Sequence, residues 1–283
     1  MTLVGRRTVV ETVAIEPPPA LRFPNLREVY YYREMLWLLI AKSLSLRYKQ
    51  TVLGVGWVVL KPLLMMLVYV LVFGAFLNRG SGMEGVPFPV FLFSAIIAWQ
   101  FFSTTATECV SSVSRDREFM KKVYFPRIIL PLVPIATHFV DLVASFAILV
   151  ALMAAYGIAP GIELLTLPAF LLLLVLFSTG AALWLAPMNV RYRDIQYAVP
   201  FFIQLGFFMS PIVYSVQQLE AGWRGLYHLN PLAGVIEGFR WSILGGQAPS
   251  LAGLGVSLAV GVVVLVTGLL HFGSRERDFV AEA

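Results

Sequence analysis

The sequence predicts an all-α polytopic membrane protein, and three observations carry that prediction. Six long apolar stretches, at 52–77, 88–110, 128–156, 164–186, 195–214 and 251–272, each match or exceed the roughly 20 residues that cross a hydrocarbon core. Hydrophobic residues make up 59% of the 283 and charged residues 13%, which leaves too little polar surface for a soluble globule. The connecting segments alternate in basic charge. With the N-terminus inside, the inner segments hold 17 of the 21 Lys and Arg, the outer ones hold Arg79, Arg224 and Arg240, and Lys61 falls within the first stretch. That bias places both termini on the cytoplasmic side of the membrane.

The same composition excludes several classes. The net charge of +5 sits beside the ends of the apolar stretches, where anionic lipid headgroups account for it, so no nucleic-acid partner is expected. A lone Cys109 excludes an intrachain disulfide and reads as a packing residue. His138, His228 and His271 lie in separate segments without ligand spacing, so no metal site is expected. Residues 1–24 lack the apolar run of a signal peptide and contain Glu11, Glu16 and three consecutive prolines from Pro17. They read as a flexible cytoplasmic tail, and 274–283 as a second one.

Residues 25–50 read as an amphipathic interfacial helix. Tyr30, Tyr31, Tyr32 and Trp37 suit the headgroup level, with Arg33, Lys42, Arg47 and Lys49 facing water. The six-helix transmembrane unit follows over 51–273. Its first span carries Lys61 and Pro62 about ten residues in, where the proline frees a carbonyl and predicts a kink. The second span runs into Arg115, Asp116, Arg117, Glu118, Phe119, Met120, Lys121 and Lys122, about two turns of helix with an apolar pair among charges. This loop is either a solvated positive anchor or a docking peg for a cytoplasmic partner.

The third span holds His138 and Asp141, three residues apart and therefore on one helical face. An intramembrane carboxylate is a functional signal. No second acid lies in a neighbouring span except Glu108 near a span end, which favours an interhelical hydrogen-bond clasp over a proton relay.

The outer segment before the last span contains Trp223, Asn230, Pro231, Glu237, Arg240 and Trp241. Asn230 as N-cap and Pro231 as first helical residue predict a helix starting there. Its 14 residues, to Leu244, span about 21 Å, so it lies on the surface or dips in and returns. Glu237 and Arg240, spaced i,i+3, can neutralise each other at that depth.

Five ordered blocks then carry a resemblance: RYKQTVLGVGWVVLKPLL at 47–64, KKVYFPRIILPL at 121–132, NVRYRDIQY at 189–197, SPIVYS at 210–215 and NPLAGVIEGFRW at 230–241. Together they resemble the membrane subunit of ABC-2 type polysaccharide exporters, the permeases for O-antigen, capsule-like polymers and teichoic acids, over nearly the whole chain. The resemblance implies the type V exporter fold, with short re-entrant outer helices before the last span. It implies a homodimer in the bacterial inner membrane, working with two copies of a separate ABC ATPase that moves a polyprenyl-pyrophosphate-linked glycan outward. ATP and Mg would sit on that partner, because the chain has no G-x-x-x-x-G-K-[ST] phosphate loop; it binds no cofactor and is not itself an enzyme. The resemblance maps the ATPase-coupling element onto 115–122 and the outer gate onto 217–246.

A glycan has hydroxyl edges and apolar C–H faces, so a conduit for it needs stacking surfaces without deep polar traps. The candidates are Tyr69, Phe73, Phe76, Trp99, Phe101, Phe102, Phe201, Phe202, Phe207, Phe208 and Tyr214. For the carrier's pyrophosphate, Arg47, Lys49 and Lys61 are available at the inner mouth, with Arg191 and Arg193 on another loop. Two rival classes use similar material: an ABC-2 permease for a drug or small lipid, and an integral membrane glycosyl or phosphoglycosyl transferase. The transferase needs clustered acids at a membrane face, whereas the acids on the cytoplasmic loops here are isolated and flanked by Arg or Lys.

Overall fold

The computed structural model describes residues 23–24, 26–49, 53–54, 56–76, 80, 83, 85–216, 227, 230–276 and 279. Nearly all of the 1–24 tail lies outside them, as do Arg79, Trp223, Arg224, His228 and Arg277 and the side chains of Phe76 and Arg117. Every regular element among the described residues is a helix.

Helices α1 (Leu26–Tyr31) and α2 (Arg33–Tyr48) are nearly continuous, because the backbone bonds Tyr32 N to Glu28 O and Leu36 N to Tyr32 O bridge the break. On α2, Leu39 and Ile40 are buried while Trp37, Leu38 and Leu46 stay exposed. Helix α3 (Gly56–Tyr69) contains Pro62 and widens into a π-helical segment, Val70–Phe76. Of the residues of α3, Val58 alone is buried. Such a helix contributes little to the core of a single chain, and its apolar flank is left for lipid or another subunit.

Helix α4 (Phe88–Arg115) is the opposite case. Its first half, from Val90 to Trp99, is buried without a break, the pattern of a helix that is apolar all round and packed on every side. It contacts α6 (Ile129–Ala155), α7 (Leu167–Arg191), α8 (Ile195–Phe208), α9 (Pro231–Leu244) and α3. The short α5 (Arg117–Lys122) follows it directly, and a 3-10 turn, Ile162–Thr166, leads into α7. Helix α10 (Leu251–Arg275) closes the bundle against α7.

The α7–α10 crossing depends on two glycines. A Cβ on Gly180 would stand 2.7 Å from the backbone nitrogen of Leu265, and one on Gly268 would stand 2.7 Å from the carbonyl oxygen of Gly180. Small residues at such a crossing let the backbones approach, which supplies the dispersion contacts that hold helices together in lipid. Trp184 Nε1 donates to Thr267 Oγ1 at 3.0 Å across the same seam.

Among the described residues, five helical segments are long and apolar enough to cross a membrane: Gly56–Ala75, Phe88–Arg115, Ile129–Ala155, Ile162–Arg191 and Leu251–Arg275. The stretch expected as a span at 195–214 forms the shorter α8, 14 residues or about 21 Å, against a hydrocarbon thickness of about 30 Å. The helix stops at Phe208 and the chain turns through Met209 and Ser210, where Pro211 disfavours a helical conformation for the preceding residue.

One end of the bundle gathers the basic residues. Arg127 donates from its backbone to Glu276 Oε1 at 3.4 Å and from its guanidinium to the Glu276 carbonyl, joining the start of α6 to the end of α10. Asn189 Nδ2 donates to Ser114 Oγ at 3.5 Å, joining the ends of α7 and α4. Arg115, Arg127, Arg191 and Arg275 therefore share one end, and α9 lies toward the other.

Helix α9 starts as the sequence predicts. Asn230 Oδ1 accepts from Leu232 N at 3.0 Å, and Pro231 occupies the first helical position. The helix is buried around most of its circumference, from Leu232 to Ile236 and again at Gly238, Phe239, Arg240, Ser242 and Ile243. It is a packed element between α4, α7 and α10.

Candidate functional site

Two cavities lie on opposite faces of α4. The larger, about 940 Å³, is bounded by α4, α7, α8 and the start of α9, and Trp99, Phe102, Phe202 and Phe208 line it. Gly206 and Asn230 also face it, and sequence reasoning did not select them as lining residues. Gly206 keeps the wall thin, since a Cβ there would stand 3.1 Å from Trp99 Cη2. The remaining predicted aromatics divide. Phe207 is buried, with Tyr69 stacked on it at 4.9 Å and Trp99 edge-on at 5.9 Å, so it supports the wall. Tyr69 and Phe73 pack against the core beside it. Phe201 is exposed on α8, and Phe101 is buried on the other side of α4. Tyr214 pairs its hydroxyl with that of Tyr227.

The second cavity, about 380 Å³, lies between the end of α2, the start of α3, and α4 and α6. Its polar wall is a network of four side chains. Arg47 Nη1 donates to Asp141 Oδ2 at 2.6 Å, and Nη2 reaches both Glu108 oxygens at 3.2 Å. His138 bridges the same two carboxylates, Nδ1 to Asp141 Oδ2 at 2.9 Å and Nε2 to Glu108 Oε2 at 3.2 Å. The interhelical clasp expected of His138 and Asp141 is thus a four-group ring, with Glu108 and Arg47 as its further members. Arg47 does not face water as its place on an amphipathic helix predicts; the two acids draw it inward. Lys61 is exposed and lines the same cavity, with Trp57, Gln100 and Thr104.

The other predicted cations are elsewhere. Lys49 is exposed at the end of α2. Arg191 lies over the Tyr192 ring at 5.3 Å and faces a separate cavity of about 180 Å³ with His271 and Arg275, and Arg193 is exposed beside it.

On α5, Glu118, Lys121 and Lys122 are exposed, while Phe119 and Met120 are half-buried against a cluster that includes Leu39, Phe125 and Ile128. Lys42 of α2 ties to this element, 3.7 Å from Asp116 and 5.7 Å from the Phe119 ring. Arg115 donates to Ser111 Oγ at 2.8 Å.

At the opposite end, Arg240 is 5% exposed and is held by carbonyls rather than by its helical neighbour. Its Nη2 donates to Pro211 O and Ile212 O at 2.9 Å each, and its guanidinium carbon lies 3.8 Å from the centre of the Phe91 ring. No ion pair with Glu237 forms among the described residues. Burial holds the Glu237 carboxyl above the usual carboxylate range, with the Arg240 charge pulling it the other way. Asn230 Nδ2 donates to Met209 O and Ser210 Oγ at 3.1 Å, so Asn230 and Arg240 together fix the 209–214 turn onto α9. Trp241 packs edge-on to Phe170 at 6.4 Å. The buried Cys109 donates to Pro131 O at 3.3 Å, a packing role.

Sequence comparison places these features among known proteins. The profile of the family described as ABC-2 type transporter matches residues 34–244. The chain is 32% identical over 257 residues to an O-antigen export system permease protein of Myxococcus xanthus, covering 90% of this chain and 97% of that protein. It is 25% identical over 250 residues to an O-antigen export system permease protein of Klebsiella pneumoniae, covering 88% and 95%. A polysialic acid transport protein of Escherichia coli is 23% identical over 246 residues, covering 84% and 92%.

Proposed function

This chain belongs to the ABC-2 type transporter family of membrane subunits, and on that premise we propose that it is the permease of an ATP-driven exporter of a lipid-linked polysaccharide across the bacterial inner membrane. Two copies form the pathway, each with α8 and its following turn as a sixth crossing, α9 as a re-entrant outer element and both termini in the cytoplasm. Two copies of a separate ABC ATPase supply the work.

The observation that carries this reading is the aromatic cavity of about 940 Å³ on the α8 side of α4. Its rings offer flat apolar faces to sugar C–H surfaces, and it has few polar groups that would hold a moving polymer. The exposed apolar flank of α3 supports a second copy seated nearby. Closure of the ATPase dimer pushes on α5; α4 and α6, joined through the Arg47 ring, pass that movement into the membrane as rigid rods. The carrier's pyrophosphate is met by Lys61, which lines the cavity between α2, α3, α4 and α6.

Deleting the gene in its native cell tests the reading: carrier-linked glycan is expected to accumulate inside and surface glycan to disappear. Unchanged surface glycan overturns it in favour of a drug or small-lipid permease, and sugar transfer by the purified chain alone would make it an enzyme.

A further inference from the structure

The cavity of about 380 Å³ is the feature that a smooth conduit leaves unexplained, because it places five ionisable side chains beside membrane-spanning helices. Its volume is that of an ordinary small-molecule site. Two carboxylates face Arg47 and Lys61, and His138 stands between the acids with one ring nitrogen at hydrogen-bond distance from each. That placement decides what can bind. Arg47 is held by both acids, so an anion laid against the ring would meet two carboxylates at close range. Only Lys61, for which no ion pair occurs among the described residues, suits a phosphate.

The acids suit a different group. A carboxylate offers about four acceptor sites, so one that already holds a cation can also accept from a hydroxyl. The Glu108 and Asp141 side chains remain 35% and 31% exposed. They are therefore fixed in orientation by Arg47 and His138 yet open on the cavity side, the arrangement that accepts hydrogen bonds from hydroxyls. Gln100 adds an amide on the same helix as Glu108, and Trp57 supplies an apolar face. Hydroxyl acceptors, a flat ring and one cation match one chemical class, a sugar bearing a phosphate.

We infer that this cavity binds the sugar attached directly to the carrier's pyrophosphate, with Glu108, Asp141 and Gln100 taking its hydroxyls, Trp57 its apolar face and Lys61 the phosphate. This rests on the polysaccharide-export reading. It assigns Arg47 the role of a positioning residue that orients the acids, in place of the direct pyrophosphate ligand expected from sequence. The sugar is read in the resting permease, before the chain reaches the aromatic cavity on the far side of α4.

The test uses purified full-length permease in lipid nanodiscs and two probes, a short-chain prenyl pyrophosphate and the same compound carrying one hexose. The hexose is expected to tighten binding about tenfold, the scale of one or two hydrogen bonds to charged groups. Glu108→Gln and Gln100→Ala each bring that ratio toward one, and Lys61→Gln weakens both probes alike. Trp57→Ala, on the exposed flank of α3, lowers the ratio without touching the ion-pair ring, so the test survives if Glu108→Gln fails to fold. An absent hexose preference in the natural chain, or a preference that survives Gln100→Ala and Trp57→Ala, overturns the inference. Glycan accumulation in the deletion strain is read separately: if it occurs while the hexose preference is absent, the export reading stands and this inference alone falls.

Discussion

Arg47 Nη1 lies 2.6 Å from Asp141 Oδ2 although 94 residues separate the two in sequence. The last turn of α2 is thereby tied to a point twelve residues inside α6, about 18 Å along that helix. Because the same guanidinium also holds Glu108 of α4, a single side chain fastens three helices.

That linkage predicts non-additive stability. Arg47→Gln leaves two carboxylates facing each other, and Asp141→Asn leaves Arg47 with one acid. Each is expected to cost on the order of 1–3 kcal/mol, toward the low end because the groups are only partly buried. The double variant should cost about 1 kcal/mol or more below the sum of the singles, as residues in one network do. Thermal unfolding of the purified variants measures it, and simple additivity would show that the ring does not act as a unit.

Arg240 makes a sharper case, because its partners are carbonyls. Lys at this position keeps the charge but loses the planar fork that reaches Pro211 and Ile212 together and lies on Phe91. Arg240→Lys and Arg240→Ala are both expected to destabilise the protein by about 2–4 kcal/mol and to expose the 209–214 turn to protease. If Lys were to restore stability, charge and not geometry would be what this site requires.

How much of this was legible in the sequence follows from the range of each interaction. Hydrophobic runs and caps are local, so the long helices and the Asn230–Pro231 start of α9 could be read directly. The length of α8 was not: 195–214 carries no charge and is mostly apolar, and it is the turn at Ser210–Pro211, tied to Asn230, that ends the helix. The i,i+3 spacing revealed His138 with Asp141, yet nothing local points Arg47 at His138 across 91 residues or at Glu108 across 61. Likewise i,i+3 spacing suggested a Glu237–Arg240 pair, and the carbonyls of the 211–214 turn prevail because they reach the guanidinium at hydrogen-bond distance.

The α7–α10 crossing predicts a position-specific glycine effect. Gly180→Ala sets a methyl against backbone at 2.7 Å, which must force the two helices apart at a cost of about 2 kcal/mol or more. Gly255→Ala on the same α10 meets nothing within 4 Å and should be neutral or slightly stabilising, since alanine favours helix. The yield of monodisperse protein after detergent extraction distinguishes them, and equal behaviour would remove the close crossing as the cause.

Phe202 and Phe208 predict function without stability. At 66% and 62% exposed, neither holds the core, so Phe202→Ala and Phe208→Ala should leave the amount of folded protein unchanged while slowing glycan export. Gly206→Leu should slow it further by closing the wall against Trp99. Pulse-labelled glycan reaching the cell surface gives the rate; full export by the Gly206→Leu protein would mean that the polymer takes another path.

The docking role proposed for α5 can be tested apart from its packing. Phe119 lies 5.5 Å from Phe125 and beneath Lys42, so Phe119→Asp would bury a charge against its own chain and lose folded protein, whatever the ATPase does. A cleaner probe is the exposed pair Glu118 and Lys122, which touch nothing that holds α5 in place among the contacts described. Reversing both, Glu118→Lys with Lys122→Glu, leaves the net charge and the apolar pair as they are but inverts the pattern presented to a partner. Like charges brought together at a docking surface weaken it by roughly 1 kcal/mol or more, so ATPase co-purification should fall about fivefold or further and export with it. Normal folding with normal co-purification would place the docking surface off α5, leaving Lys42 and Asp116 as an anchor for α2 alone.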